Sequence, residues 1–388
     1  MNERLDGHGG PDWVLGTYVH IPFCQYRCTY CDFATFAGKD EYIQQYLACL
    51  LTELSLRTPP GPKRFASTVF FGGGTPSRLP AADVERVLTA LDDSFQLSPR
   101  TEVTLEANPG TLDLVQMRDL RSAGVNRLSI GVQTLNDSIL RSVERIHDGR
   151  QALDTLQRAR AAGFDSVSAD LIFGLPGQDR QDWIRTLRGV IGAGPDHLSV
   201  YGLIVEPGTL LRRQLLDGRI QIPSDDEAAD LYEVAREMLA ANGYQHYEIS
   251  NWARPGHQCR HNLIYWQHEP YLGIGLSAHS YLDGRRFANV RGLQGYIGRL
   301  QRGRLPTASV EPIDADRARA DAAMLGLRLI RGIHTASFDA RFGGNFLLGH
   351  SEAIARFAGL GLLEVRAGWV RLTAKGYLLA NQVWQEFI

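Results

Sequence analysis

The chain has 388 residues, 44% hydrophobic and 22% charged, ordinary values for a soluble fold and enough for a core without disulfide staples. Lys and Arg number 41 against 43 Asp and Glu, and a net charge of −2 argues against a bulk electrostatic grip on nucleic acid. Nothing approaches the roughly 18 apolar residues of a membrane-spanning helix, and the polar first dozen residues carry no apolar signal core, so a cytoplasmic location is the expectation.

In chain order, strand patterns fall at 14–21, 67–71, 102–107, 127–132, 166–173 and 197–203. Helical patterns lie between them. In 82–92, Val84, Val87, Leu88 and Leu91 recur at i, i+3, i+4 and i+7, one face of a helix. Thr111 can cap a helix that ends at Gly124, and 151–162 carries Leu153, Leu156 and Ala159 before Gly163. Cys49 falls in a helical stretch, 41–56, and is expected to be buried and inert. Several strands are short apolar runs, which read as parallel strands buried on both faces. Six strand–helix units predict an α/β fold, a closed or partial parallel barrel whose chemistry sits at the C-terminal ends of its strands.

Beyond residue 205 come a loop, Glu206-Pro-Gly-Thr209, and a long helix near 225–242. Residues 246–283 are rich in His, Trp, Tyr and Gly, and a polar stretch near 303–316 looks like a boundary. The last part reads as helices around a hairpin, 362–365 and 369–373 about Ala367-Gly368, a winged-helix-like arrangement without a concentrated basic face. The expected division is a tail at 1–12, a core at 13–245, a connecting region at 246–303 and a smaller helical domain at 304–388.

Five cysteines cannot form a disulfide framework, but three are clustered: Cys24, Cys28 and Cys31, spaced C-x3-C-x2-C just after the first strand. Three thiolates on one loop can converge on a metal centre. They are one short of closing a tetrahedral zinc site, for which His20 is the available fourth donor, and one short of saturating a four-iron, four-sulfur cluster. The second case leaves one iron open, as a catalytic centre requires. Gly72 to Gly74 lie at a strand end where the missing Cβ atoms allow a ligand to approach the backbone. Glu106, at the next strand end, can accept from ribose hydroxyls. Gly273 to Ala278 fits G-x-G-x-x-A, but no strand–helix unit with a suitable acid follows, so a tight turn is the expectation.

C-x3-C-x-aromatic-C, with Tyr30 as the aromatic, resembles the signature of radical S-adenosylmethionine (SAM) proteins. The resemblance continues through Tyr18 to Cys24, Phe71 to Ser77, Glu106 to Gly110, Ser129 to Gln133, Asp170 to Gln178 and Glu206 to Thr209, which together look like the oxygen-independent coproporphyrinogen III oxidase group. It implies a partial (βα)6 barrel. The three cysteines would hold a [4Fe-4S] cluster whose open iron is chelated by SAM. Tyr18, Gly73, Gly74, Thr75, Glu106, Gln133, Arg145 and Asp170 would contact SAM. An electron donor would serve the cluster.

Two branches of that group differ at the loop. The oxidases carry a fourth cysteine two residues after the third, where this chain has Phe33, and a longer N-terminal arm, where this chain has 23 residues before Cys24. Both departures are similar to the heme-chaperone branch. So is His261-Asn262-x-x-Tyr265-Trp266, which the resemblance marks as a heme-binding motif. Five of the 11 histidines, His246, His257, His261, His268 and His279, fall close together there. An imidazole can ligate heme iron, and Tyr265 and Trp266 offer flat faces to a macrocycle. His257, Cys259 and His261 could alternatively hold zinc. The resemblance implies heme as cargo and an unidentified acceptor protein, with no nucleic acid, no membrane-spanning segment and an open oligomeric state. The competing expectations are decarboxylation of coproporphyrinogen III and another radical SAM transferase, such as a methyltransferase.

Overall fold

The computed structural model describes residues 15–58 and 61–388. The tail at 1–12 and the first residue of the strand expected at 14–21 lie outside the described residues. Its strands are β1 (Leu15–Ile21), the short β2 (Phe23–Cys24) and β3 (Phe36–Ala37), β4 (Ala66–Gly73), β5 (Glu102–Ala107), β6 (Arg127–Gln133), β7 (Ser166–Phe173) and β8 (His197–Gly202). They continue with β9 (Gln245–Glu248), β10 (Asn251–Ala253), β11 (Tyr271–Ile274), β12 (His279–Leu282), β13 (Arg285–Asn289) and β14 (Thr307–Pro312). A separate C-terminal unit holds β15 (Ile333–His334), β16 (Leu363–Arg366) and β17 (Trp369–Leu372).

β1, β4, β5, β6, β7 and β8 pair in that order, all parallel, the six strands expected from the pattern. The sheet does not stop there. β11 adds a seventh parallel strand beside β1, and β12 to β14 extend it as antiparallel hairpins. β10 and β9 finish the opposite edge. The segment expected to connect two domains is therefore part of the main sheet. The polar stretch near 303–316 contains the edge strand β14, whose exposure explains its composition.

The barrel strands alternate by face, as the two-residue period of a strand requires. Val19, Val69, Phe71, Val103, Leu105, Leu128, Ile130, Val167 and Ala169 point outward into one buried cluster with the helices. The inner face is polar: Tyr18, His20, Thr104, Glu106, Arg127, Ser129, Ser168, Asp170 and His197. Apolar outward residues made the strands read as buried on both faces, and they are, but the second face is a polar lumen. Many of its groups are paired, with Arg127 Nη1 on Ser166 Oγ at 2.8 Å and Ser168 Oγ on His197 Nδ1 at 2.8 Å, whereas the Thr104 hydroxyl has no partner among the described residues. Such pairing is what burial of polar groups demands.

The outer helices include Ile43–Arg57, Ala81–Ser94, Leu114–Ser122, Gly149–Ala161, Arg180–Ala193 and Asp225–Ala241. Asp113, not Thr111, caps the third, in a reciprocal capping box with Gln116. Thr111 is held by the Asn108 carbonyl instead. Cys49 is buried in the first helix as expected. In the C-terminal unit Ala367 (φ 49°) and Gly368 (φ 79°) form the expected hairpin turn, and a second core gathers Phe338, Phe346, Phe357, Val370 and Val383. The two units are tied by Glu248, fully buried, which accepts from Arg328 Nη2 at 3.1 Å.

Candidate functional site

The three cysteines occupy one loop at the C-terminal mouth of the barrel. Cys24 closes β2 and is buried, while Cys28 and Cys31 are half-buried. The Cys31 amide donates to the Cys28 carbonyl at 3.2 Å, a tight turn, and the Thr29 amide donates to Val143. Tyr30 anchors the loop by packing on Ile139, Val143 and Leu175. Thr75 Oγ1 lies 3.7 Å from Cys24 Sγ, and Arg145 Nη1 lies 3.6 Å from Cys28 Sγ. Burial pushes the Cys24 and Cys31 thiols up, and the nearby thiols raise them further. Iron must therefore displace protons there, and the Arg145 guanidinium is placed to offset the resulting negative charge.

His20 is not free to act as a fourth ligand. Its Nε2 donates to the Ala34 carbonyl at 3.0 Å, so Nδ1 accepts from the Tyr18 hydroxyl at 3.0 Å. Burial lowers its pKa to about 4, which keeps the ring neutral. The second zinc alternative is not assembled either: Cys259 Sγ faces Glu102 at 3.7 Å and His261 is engaged elsewhere. Among the described residues no three His, Cys, Asp or Glu side chains converge on a single ion.

The expected SAM contacts line the same mouth. Gly73 has φ 115°, and its N–H donates to Glu106 Oε2 at 3.0 Å. A Cβ on Gly73 would meet the His20 ring at 2.5 Å, and one on Gly74 would meet the Phe23 carbonyl oxygen at 2.9 Å and Cys24 Sγ at 3.0 Å. Both glycines are therefore required by close approach. Arg145 donates through Nη2 to Asn108 Oδ1 at 2.7 Å and to the Gly131 carbonyl, leaving its buried Nε without a partner. Asp170 accepts from Ser129 Oγ at 2.9 and 3.0 Å. Gln133 ends β6 with φ 64°, and its side chain lies beside Arg145 and Asn108 around Gly131. Burial and the neighbouring Asp170 push the Glu106 carboxyl up to about 8, partly opposed by the Gly73 N–H. A small cleft opens here between Cys28, Thr75, Asn108 and Arg145. Asn108, whose Nδ2 also donates to Thr75 Oγ1 at 3.0 Å, is the residue sequence reasoning missed. Its signal was its place two residues after Glu106, on the same face of the chain.

The donor set fits the group that the spacing implied. Three thiols share one loop, Cys28 lines the cleft, and the three need not converge on one ion because each would bind a different iron of a cluster. Beside them lie the Glu106 carboxyl, which takes the Gly73 N–H through one oxygen, and a guanidinium with an unsatisfied N–H.

The motif histidine lies elsewhere. Helix Arg260–Trp266 carries His261 into the barrel floor, where the ring is 1% exposed and stacks 5.1 Å from Phe70. Its Nδ1 bonds Thr68 Oγ1 at 2.7 Å and its Nε2 bonds the Tyr265 hydroxyl at 2.8 Å. Burial lowers its pKa to about 3. Neither nitrogen is open to an iron, so ligation there requires the His261–Tyr265 bond to break. Asn262 is half-buried. Trp266 ends the helix under Arg328, which stacks 4.2 Å above its ring. The other clustered histidines do not join His261. His246 stacks on Trp252 at 4.2 Å, His268 packs on Tyr281, and His279 is exposed on β12. Phe33 is 62% exposed beside the cysteine loop. Of the G-x-G-x-x-A segment, Gly273 belongs to β11 and the expected tight turn is made by Gly275 (φ 104°) to Ser277 (φ 58°), with Gly275 pressed against the His20 carbonyl.

Residues 18–190 match the model of the radical SAM superfamily, and 313–379 match that of the HemN C-terminal domain. The heme chaperone HemW of Synechocystis sp. is 39% identical over 81% of this chain and 78% of its own length. The heme chaperone HemW of Bacillus subtilis is 33% identical over 97% of this chain and 99% of its own. Among solved structures, the coproporphyrinogen III oxidase HemN of Escherichia coli, a radical SAM enzyme, superposes with a TM-score of 0.85 at 27% identity, covering 97% of this chain and 91% of that one.

Proposed function

The chain belongs to the HemW heme-chaperone family of radical SAM proteins, and on that premise we propose that it binds heme and passes it to an acceptor protein. The observation that carries this reading is the end-to-end likeness to a HemW chaperone, 97% of one chain on 99% of the other. Phe33, at the position of the oxidases' fourth cysteine, agrees with it. The oxidase is the second reading, because the fold superposes on HemN.

Cys24, Cys28 and Cys31 would hold the cluster. When bound, it supplies an open iron for SAM and an electron that a donor protein must provide. This chain's own residues do the positioning. The bare edges of Gly73 and Gly74 admit the ligand, and Thr75 and Asn108 fix the loop. Glu106 and Asp170 face ribose hydroxyls, and Arg145 offsets the charge of the thiolates or of a ligand carboxylate. Tyr18 holds the His20 ring, and Gln133 lies beside Arg145. The H-N-x-x-Y-W segment offers heme the flat face of Trp266, with His261 held in reserve behind Tyr265.

No helix among the described residues is long and apolar enough to cross a membrane. Transfer is the direct test. Heme-loaded protein is mixed with an apo-hemoprotein and the Soret band of the acceptor is followed. Heme moving to the acceptor at a rate above that of free heme release supports the proposal. Heme that stays bound, with anaerobic conversion of coproporphyrinogen III to protoporphyrinogen IX, supports the oxidase instead.

A further inference from the structure

An open groove with a cavity volume of about 160 Å³ lies between the end of helix Arg260–Trp266 and the C-terminal unit. Trp266 lines one wall, and Phe338 and Trp369 the other. These are flat apolar surfaces suited to a planar ring.

Two polar groups on the C-terminal wall are uncommitted. His334 bonds Ser337 Oγ through Nδ1 at 2.9 Å, and among the described residues its Nε2 has no hydrogen-bond partner. That arrangement orients an imidazole with one nitrogen held and the other presented, the usual condition of a histidine ligand. Its ring sits 5.0 Å from Trp369. Arg331 is exposed, lies 6.0 Å over the same Trp369 ring, and has no carboxylate within ion-pair distance among the described residues. Arg341, also in the groove, is already paired with Glu269 at 2.9 Å.

A flat apolar wall, a presented imidazole and an unpaired guanidinium at the rim match the three parts of heme: macrocycle, iron and propionates. His261 has both nitrogens engaged, so the H-N-x-x-Y-W segment contributes a wall and not an iron ligand in this conformation. We propose that heme docks in the groove between Trp266 and Trp369, with His334 Nε2 on the iron and Arg331 on a propionate. This rests on the heme-binding reading above and assigns that reading its site. The C-terminal unit thereby becomes half of the cargo site.

The test is a titration of hemin into the full chain carrying its cluster, followed by absorbance, for the wild type, His334→Ala and Arg331→Ala. Both side chains are at least partly exposed, so both variants should fold. The expected result is saturable binding by the wild type and roughly tenfold weaker binding by each variant, a loss worth one step on the affinity scale. In His334→Ala the Soret band should also shift, and added imidazole should restore it, which a merely structural role would not produce. Wild-type affinity and Soret position in both variants would overturn the groove while leaving heme binding intact. No saturable binding by the wild type would overturn the reading beneath it and the groove together.

Discussion

Gly73→Ala tests whether the barrel mouth is as tightly built as the geometry indicates. Two separable costs arise. The backbone at φ 115° is one that alanine adopts only with strain. The new Cβ would also sit 2.5 Å from the His20 ring. That ring cannot swing aside freely, because Tyr18 and Ala34 hold its two nitrogens. Backbone strain of roughly 1–3 kcal/mol and overpacking of roughly 1–3 kcal/mol give a total of roughly 2–6 kcal/mol. Gly163→Ala is the control: φ is 84° there, but nothing lies within 4 Å of the point its new methyl group would occupy, so only the backbone cost applies. Urea unfolding of the apoprotein, followed by circular dichroism, compares the two. Gly73→Ala should lose clearly more stability than Gly163→Ala. Equal losses would refute the claim that His20 is pinned against Gly73.

Replacing Cys24, Cys28 or Cys31 by Ala should each reduce iron and acid-labile sulfide in anaerobically reconstituted protein to background; wild-type content in any of the three would contradict the ligand assignment. The Glu106 carboxyl, at about 8 in the folded apoprotein against an ordinary 4.5, keeps a proton that the unfolded chain has lost. Its contribution is therefore full below about pH 4 and declines as pH rises through about 8. Glu106→Gln should flatten that part of the stability–pH curve, and an unchanged slope would count against the shift. His261→Ala should destabilise the fold by roughly 2–4 kcal/mol, since it leaves a cavity and strips partners from Thr68 and Tyr265; a neutral effect in urea unfolding would be inconsistent with its buried placement. Arg328→Ala should cost roughly 3–5 kcal/mol by removing the cation from the buried Glu248 carboxylate, which would keep only the Ser250 N–H and the Asn251 amide, and should speed proteolytic release of the C-terminal unit; wild-type stability and cleavage rate would show that the pair does not tie the units.

The six parallel strands and their helices were legible because each carries its own local signal: an apolar run, then a 3.6-residue period. The cysteine loop was legible because ligand spacing along one loop is a sequence property. What escaped depends on contacts distant in sequence. β11 joins β1 across some 250 residues, and its four residues carry too little pattern to announce a seventh parallel strand. The polar lumen was hidden because Ser129, Asp170 and Arg127 look like ordinary polar interruptions until three strands bring them together. His261 shows the opposite hazard. Its crowd of neighbouring histidines suggested one site, yet His246, His261 and His268 each pack against a different ring. His334, outside that crowd in sequence, lines the groove with one ring nitrogen held by Ser337.

The most direct measurement is the fate of heme on the protein. Anaerobically reconstituted chain, with SAM and a reductant, is given heme in one sample and coproporphyrinogen III in another, and the tetrapyrroles are recovered and identified. A chaperone binds heme saturably, one per chain, returns it chemically unchanged and leaves coproporphyrinogen III untouched. Failure to retain heme, with carbon dioxide and protoporphyrinogen IX formed from coproporphyrinogen III, would contradict it.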